Sequence, residues 1–261
     1  MSAPQAARRG TRRRGRGVGA EDLWPALASL GGLTVQGVAR YGKFLDISCG
    51  PPARPSPDGT ALHLVIHLAR AGCLRWRDAM PAQPPRPGKG PLAFRMLLDG
   101  GSGFDLTEAG TSKRLAVYLV TGPAQVPGIA SLGPDPLDPS FTAEILAGLL
   151  AGRRTQVKGV LRDQCVIAGI GNVYSDEILH AARMSPFKMA ASLTPEQVAA
   201  LHRAIVTTLR EAAGRSAGLA AGDLKAEKKT GLRVHGRAGE PCPVCGEVIR
   251  EVSFADSAVQ Y

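Results

Sequence analysis

Apolar and polar residues alternate with a two-residue period across much of the stretch between Leu33 and about Val126, the mark of half-buried strands. Leu33-Thr34-Val35-Gln36-Gly37-Val38-Ala39-Arg40 follows the pattern, a Tyr41-Gly42 break interrupts it, and Lys43-Phe44-Leu45-Asp46-Ile47 resumes it. Residues 62–68, 94–98 and 115–120 predict three further strands. Loops rich in proline and glycine separate them, chiefly 51–59 and 81–91. Short strands with no helix-length pattern between them predict an antiparallel sandwich or barrel. His63 and His67 fall four apart on one face of a strand, a spacing that suits core or surface residues as readily as ligands.

The period changes after Gly133-Pro134-Asp135-Pro136-Leu137. Helical spacing then predicts helices over 142–150, 156–163, 172–182 and 195–213. The last opens with Thr194 as N-cap, Pro195 at the first helical position and Gln197 at capping-box distance. The expected fold class is therefore α+β, with a β domain first, an α domain second and a junction near residue 133.

Composition adjusts this picture only in places. Hydrophobic residues make up 44% of the 261, enough for a real core, but aromatics are only 5%, so aliphatic side chains must build it. The net charge of +10 suggests a polyanionic partner. Six of those ten charges are arginines between Arg8 and Arg16, however, which leaves only four for the rest of the chain. Residues 1–19 hold little to bury and are expected to be disordered, either a solvated tail or a phosphate-tracking arm. Cys49, Cys73, Cys165, Cys242 and Cys245 do not form a disulfide pattern. No apolar run is long enough for a membrane span and no signal peptide is recognisable, so a cytoplasmic protein with no membrane partner is expected.

The chemistry concentrates in Gln164-Cys165-Val166-Ile167-Ala168-Gly169-Ile170-Gly171-Asn172-Val173-Tyr174-Ser175-Asp176-Glu177. Two glycines two apart, followed by an asparagine opening a helix, describe a tight turn that presents a helix N-terminus. Asn172 reads as the N-cap, and plain helix capping accounts for such a turn as well as phosphate binding does. The longer string running from Val157-Lys158-Gly159 to Met184-Ser185-Pro186 resembles the helix–two-turns–helix module of the Fpg/Nei family of base-excision repair glycosylases. That resemblance implies that Asn172 and Lys158 contact the phosphates flanking a lesion, with Gly169 and Gly171 shaping the turn.

Further matches extend the resemblance. Val234-His235-Gly236-Arg237-Ala238-Gly239-Glu240-Pro241-Cys242-Pro243-Val244-Cys245-Gly246 is similar to the entry of the family's C-terminal zinc finger, and Cys242 and Cys245 supply half of a tetrahedral zinc site. A second Cys-x-x-Cys does not follow before Tyr261, so weak zinc binding or none is expected. Arg40-Tyr41-Gly42-Lys43-Phe44-Leu45 resembles the family's strand with a Gly-Lys turn, which gives Lys43 a catalytic role near the cleaved site. By the same resemblance Arg70 fills the gap left by a flipped base, and Lys113 and Arg114, followed by Leu115, probe the opposite strand. The segment 218–231, with Lys225, Lys228 and Lys229, falls where relatives contact the damaged base.

The family's nucleophile is an N-terminal proline followed by glutamate, whereas this sequence starts Met1-Ser2-Ala3-Pro4. The resemblance begins near Leu30 and the sequence reads as cut at both ends. An incomplete sandwich over 20–132, a helix–two-turns–helix domain over 133–228 and a partial zinc-ribbon hairpin over 229–261 are expected, with an open sheet edge. The implied function is removal of oxidised bases from duplex DNA, with nicking of the abasic strand, by a monomer. The alternatives are a non-catalytic damaged-DNA-binding remnant, or a fragment of such an enzyme. An RNA-binding or ribosome-associated basic protein rests only on the arginine tail.

Overall fold

The structure, a computed structural model, describes residues 25–52, 61–81, 83, 90–109, 113–219, 223–254 and 257–261. The expectation for residues 1–19 lies outside the described residues, as do the side chains of Lys225, Lys228 and Lys229. Two compact units divide the chain, Met1–Ala130 and Ser131–Tyr261. The class is α+β. Among the described residues no helix is long and apolar enough to cross a membrane.

Seven antiparallel strands build the first unit: β1 Thr34–Tyr41, β2 Phe44–Gly50, β3 Leu62–His67, β4 Gly72–Arg77, β5 Leu92–Leu97, β6 Gly103–Glu108 and β7 Ala116–Val120. They form one sheet in the order β1-β2-β3-β7 and another in the order β4-β6-β5. Leu64 and Ile66 from the first sheet and Leu106 from the second share a core with Ile47 and Phe104, so the unit is a sandwich. β3 carries apolar residues on both faces, because Val65 packs the other way, against Val120 and Val126. A single helical turn, α1 Pro127–Ala130, closes the unit. At the sheet's edge β1 is exposed along nearly its whole length, with Val38 65% accessible.

β4 and β6 have no counterpart among the strands expected from sequence. In β6 both faces are buried and each carries an acid, which breaks the pattern on which strand prediction rests. Asp105 is buried because Arg95 and Arg77 reach it at 2.7 and 3.1 Å. Glu108 is buried because it accepts the backbone N–H groups of Arg114 and Leu115. Those partners offset the desolvation of each carboxylate.

The second unit contains α2 Ala143–Leu150, α3 Val157–Arg162, α4 Asn172–Ala181, α5 Pro195–Ser216 and α6 Leu224–Thr230, then the hairpin β8 Glu251–Phe254 with β9 Ser257–Gln260. Thr142 caps α2, and the capping box of α5 is formed on both sides, Thr194 accepting from Gln197 N and Gln197 from Thr194 N. Leu146, Leu161, Ile167, Ile178, Leu201 and Ile205 are fully buried in one cluster that ties α2 to α5. One sequence expectation is corrected. The N-cap of α4 is Gly171, and Asn172 is its first helical residue, because the Asn172 side chain is engaged elsewhere. Within the stretch 218–231, Leu224–Thr230 is helical.

Candidate functional site

Gly169 adopts φ 86°, in the left-handed region that favours glycine, and this turns the chain between the apolar run 166–168 and α4. Gln164 clamps the turn with both ends of its amide. Its Oε1 accepts from Gly169 N at 2.9 Å, and its Nε2 donates to Ile170 O at 2.8 Å and Arg162 O at 2.9 Å. The Gly169 N–H is therefore consumed inside the turn. Beyond it α4 starts with no side-chain cap, so its first-turn N–H groups and the positive end of its dipole have no anionic partner from a capping side chain. Asn172 donates to Ala258 O at 2.9 Å, fastening the helix start to β9. Its Oδ1 is buried with no hydrogen-bond partner, an acceptor held at the turn.

Beneath the turn lies a charged network that the sequence reading missed apart from Lys158. Lys158, on α3, is buried and its ammonium is bonded to Asp176 of α4. The other Asp176 oxygen accepts from His235 Nδ1 at 2.7 Å. Burial lowers the Lys158 pKa, and the Asp176 carboxylate works against that shift. In this geometry the Lys158 ammonium faces inward rather than outward. Next along α4, Glu177 is buried and accepts three backbone N–H groups: Arg233 at 2.8 Å, Val234 at 2.9 Å and His235 at 2.8 Å. The signal available beforehand was weak: two adjacent acids, Asp176-Glu177, inside an otherwise apolar helical face.

The first unit gathers its predicted residues by register. Tyr41 pairs with Phe44, Phe44 with His67, and His67 with Ala116. The turn holding Lys43, the turn after β3 holding Arg70 and the approach to β7 holding Lys113 and Arg114 therefore leave the same end of the sheet, and all four residues are exposed. Gly42, at φ 55°, lets β1 and β2 join through a two-residue turn that puts Lys43 at its tip. Lys113 donates to the Glu108 carbonyl, and Glu108 holds the backbone of Arg114. The His67 pKa is lowered, first by burial and then by the charge of Lys43, so the imidazole beside this end is neutral at pH 7. His63 instead bonds Asp46 at 2.9 Å, so the two histidines do not form a pair of ligands.

Cys242 is buried and exposed Cys245 follows on the same knuckle. The partner of Cys242 is His180, whose Nε2 lies 3.2 Å from the sulfur. Backbone N–H groups of Cys245 and Val244, together with His180, bring the Cys242 thiol down to about 6. Among the described residues no group of three His, Cys, Asp or Glu side chains is placed to hold a metal ion. The donor set does not fit the four ligands of a structural zinc.

Residues 132–221 match the formamidopyrimidine-DNA glycosylase H2TH domain. A formamidopyrimidine-DNA glycosylase of Symbiobacterium thermophilum is 37% identical over 241 residues, covering 90% of this chain and 73% of the relative. An uncharacterized formamidopyrimidine-DNA glycosylase-like protein of Mycobacterium tuberculosis is 55% identical over 138 residues, 53% of this chain and 86% of that protein. The crystal structure of the MutM (Fpg) protein from Thermus thermophilus superposes with a TM-score of 0.71 at 29% identity, over 90% of this chain and 84% of that one. Sandwich, turn and relatives agree, and the chain belongs to the Fpg/Nei family of DNA glycosylases.

Proposed function

We propose that this protein engages duplex DNA at an oxidised base, excises that base and nicks the abasic strand. The observation that carries the reading is the common exit of Lys43, Arg70, Lys113 and Arg114 from one end of the first sheet. Cations at turn tips suit the phosphates and the opened base step of a duplex. In the second unit, the uncapped start of α4 and the buried Asn172 Oδ1 suit a phosphate and a bridging donor on the flanking backbone. Lys158 acts there by positioning, through Asp176 and His235, rather than by touching a phosphate.

For the nicking step the Lys43 amine attacks the C1′ aldehyde of the abasic sugar, and water leaves as the imine forms. Loss of a C2′ proton then expels the 3′ phosphate by β-elimination, and hydrolysis of the imine returns the amine. His67, neutral at pH 7 and close enough to feel the charge of Lys43, is the base nearest to hand. Borohydride trapping on duplex DNA containing an abasic site tests the reading. A covalent adduct that disappears in Lys43→Ala supports it. Tight, salt-sensitive binding without an adduct leaves a binding protein with no lyase step, and equal affinity for undamaged duplex overturns the assignment to damage altogether.

A further inference from the structure

α4 from Tyr174 onward, one face of α5 and residues 231–233 line an open cavity of about 460 Å³ within the second unit. That size lies inside the range of roughly 300–1,000 Å³ common to small-molecule sites. Its lining runs along α4 from Tyr174, two residues after Asn172, to Ala181.

Its lining divides into two kinds of surface. Ala181, Ala182, Ala200 and Ala204 form an apolar floor where α4 meets α5, and Tyr174 stands beside it. Burial raises the Tyr174 pKa, so the phenol keeps its proton at pH 7. The rest of the lining is mostly polar, with four arginines, two glutamates, Thr207 and Thr208. Arg183, Arg203 and Arg233 line the cavity, and among the described residues none of the three forms an ion pair. The acids present compete little. Glu177 is saturated by three backbone N–H groups, Arg215 is joined to Glu227 at 3.1 Å, and Glu211 alone remains.

Arg183 adds a second, independent observation. It ends α4 at φ 52°, with its N–H on His180 O and the Met184 N–H on Leu179 O. Glycine is the usual residue there, because a Cβ strains that conformation. An arginine is held in a strained position whose side chain lines the cavity, and such strain concentrates at sites of function.

We propose that this cavity binds a nucleoside phosphate, with the three guanidinium groups on the phosphate and the flat base laid over the alanine floor beside Tyr174. Guanidinium forks match phosphate oxygens in pairs, and the floor lacks any side chain large enough to exclude a ring. The inference does not depend on the glycosylase reading, since none of the three arginines belongs to the proposed DNA surfaces.

Isothermal titration calorimetry of the full chain with 5′-AMP and 5′-GMP tests it, with adenosine and sodium phosphate as controls. The expected Kd for at least one nucleotide is on the order of 10–100 μM, with both controls at least about tenfold weaker. Arg203→Glu, an exposed change on α5, is expected to weaken the nucleotide more than about tenfold with an unchanged circular dichroism spectrum, and Arg203→Lys to recover part of the loss. No heat up to roughly 1 mM nucleotide, or full affinity in Arg203→Glu, overturns the proposal. So does phosphate binding as tightly as the nucleotide, which marks a simple anion site. If nucleotides fail to bind while Arg203→Glu weakens duplex binding, the arginines are DNA-backbone contacts and the proposal also falls. Borohydride trapping is expected to be unchanged in Arg203→Glu, which separates this outcome from failure of the glycosylase reading.

Discussion

Replacing Glu177 by alanine is expected to loosen the second unit and spare the first. The carboxylate is buried and accepts N–H groups from three consecutive residues at 2.8–2.9 Å, one of them Val234, which is fully buried. A buried donor left without an acceptor costs about 1–3 kcal/mol, and bonds to a charged acceptor lie at the upper end. Arg233 and His235 are partly exposed and can turn to water, so the total comes to about 3–5 kcal/mol rather than the full triple sum. Glu177→Gln discriminates more finely. Its carbonyl can keep the two bonds that Oε1 accepts from Val234 and His235, while its NH2 meets the Arg233 N–H as a second donor. The glutamine variant should lose about 1–2 kcal/mol. Both tryptophans, Trp24 and Trp76, fall in Met1–Ala130, whereas α2–α6 fall in Ser131–Tyr261. Urea unfolding followed by tryptophan emission thus reports the first unit, and far-ultraviolet circular dichroism mainly the second. With m near 2 kcal/mol/M, the alanine variant should lower the dichroism midpoint by roughly 1.5–2.5 M and leave the emission midpoint in place. A loss below about 1 kcal/mol, or equal losses for alanine and glutamine, would refute the counting of acceptors.

Four further outcomes follow from the same geometry. Lys158→Ala leaves Asp176 buried with His235 alone and should cost about 3–5 kcal/mol by urea melts, while Lys158→Ala/Asp176→Ala should cost less than the sum of the single changes. The proton resonance of the His67 ring should titrate below the usual 6.5 and move up in Lys43→Gln; because the folded state favours neutral His67, its contribution to stability is complete above about pH 6.5 and lost as pH falls below it, which tryptophan-monitored melts at successive pH values would follow. In duplex binding, Arg70→Ala should reduce the slope of log K against log salt by about 0.9 if the side chain meets a phosphate. Protein purified in the presence of zinc and desalted should carry well below one zinc per chain by elemental analysis, since among the described residues no group of three His, Cys, Asp or Glu side chains is placed to hold the ion.

What could be read from the chain divides along physical lines. Strands that read as short apolar runs, such as Leu62–His67 and Ala116–Val120, were legible because burial and side-chain type coincide there. β6 was not, because both its faces are buried, with Asp105 on one and Glu108 on the other, and their partners Arg95, Arg77 and the 114–115 backbone lie outside the strand. The turn at 169–172 was legible as a motif. The details that set its chemistry were not: that Gly171 caps, that Gln164 takes the Gly169 N–H, and that Asn172 is tied to β9 depend on contacts up to 86 residues apart. The residues around Lys43 could be named individually, but only strand register shows that four of them leave the sheet together.

The buried charges beneath the turn explain why it can remain open. A helix start without a capping side chain leaves donors that must find water or a ligand, and a loose turn would close on itself to satisfy them. Here the neighbouring polar groups are already committed. Gln164 holds Gly169 and Ile170, the Asn172 amide is on Ala258, Asp176 joins Lys158 of α3 to His235, and Glu177 binds the backbone of 233–235. Such pairs add little net stability over apolar packing, but each fixes one arrangement, because any slip strands a buried charge. The network therefore acts as a register device. It holds α3, α4, the 233–235 segment and, through Asn172, the hairpin in one relation, and the first turn of α4 stays unclosed and ready for an anion supplied from outside.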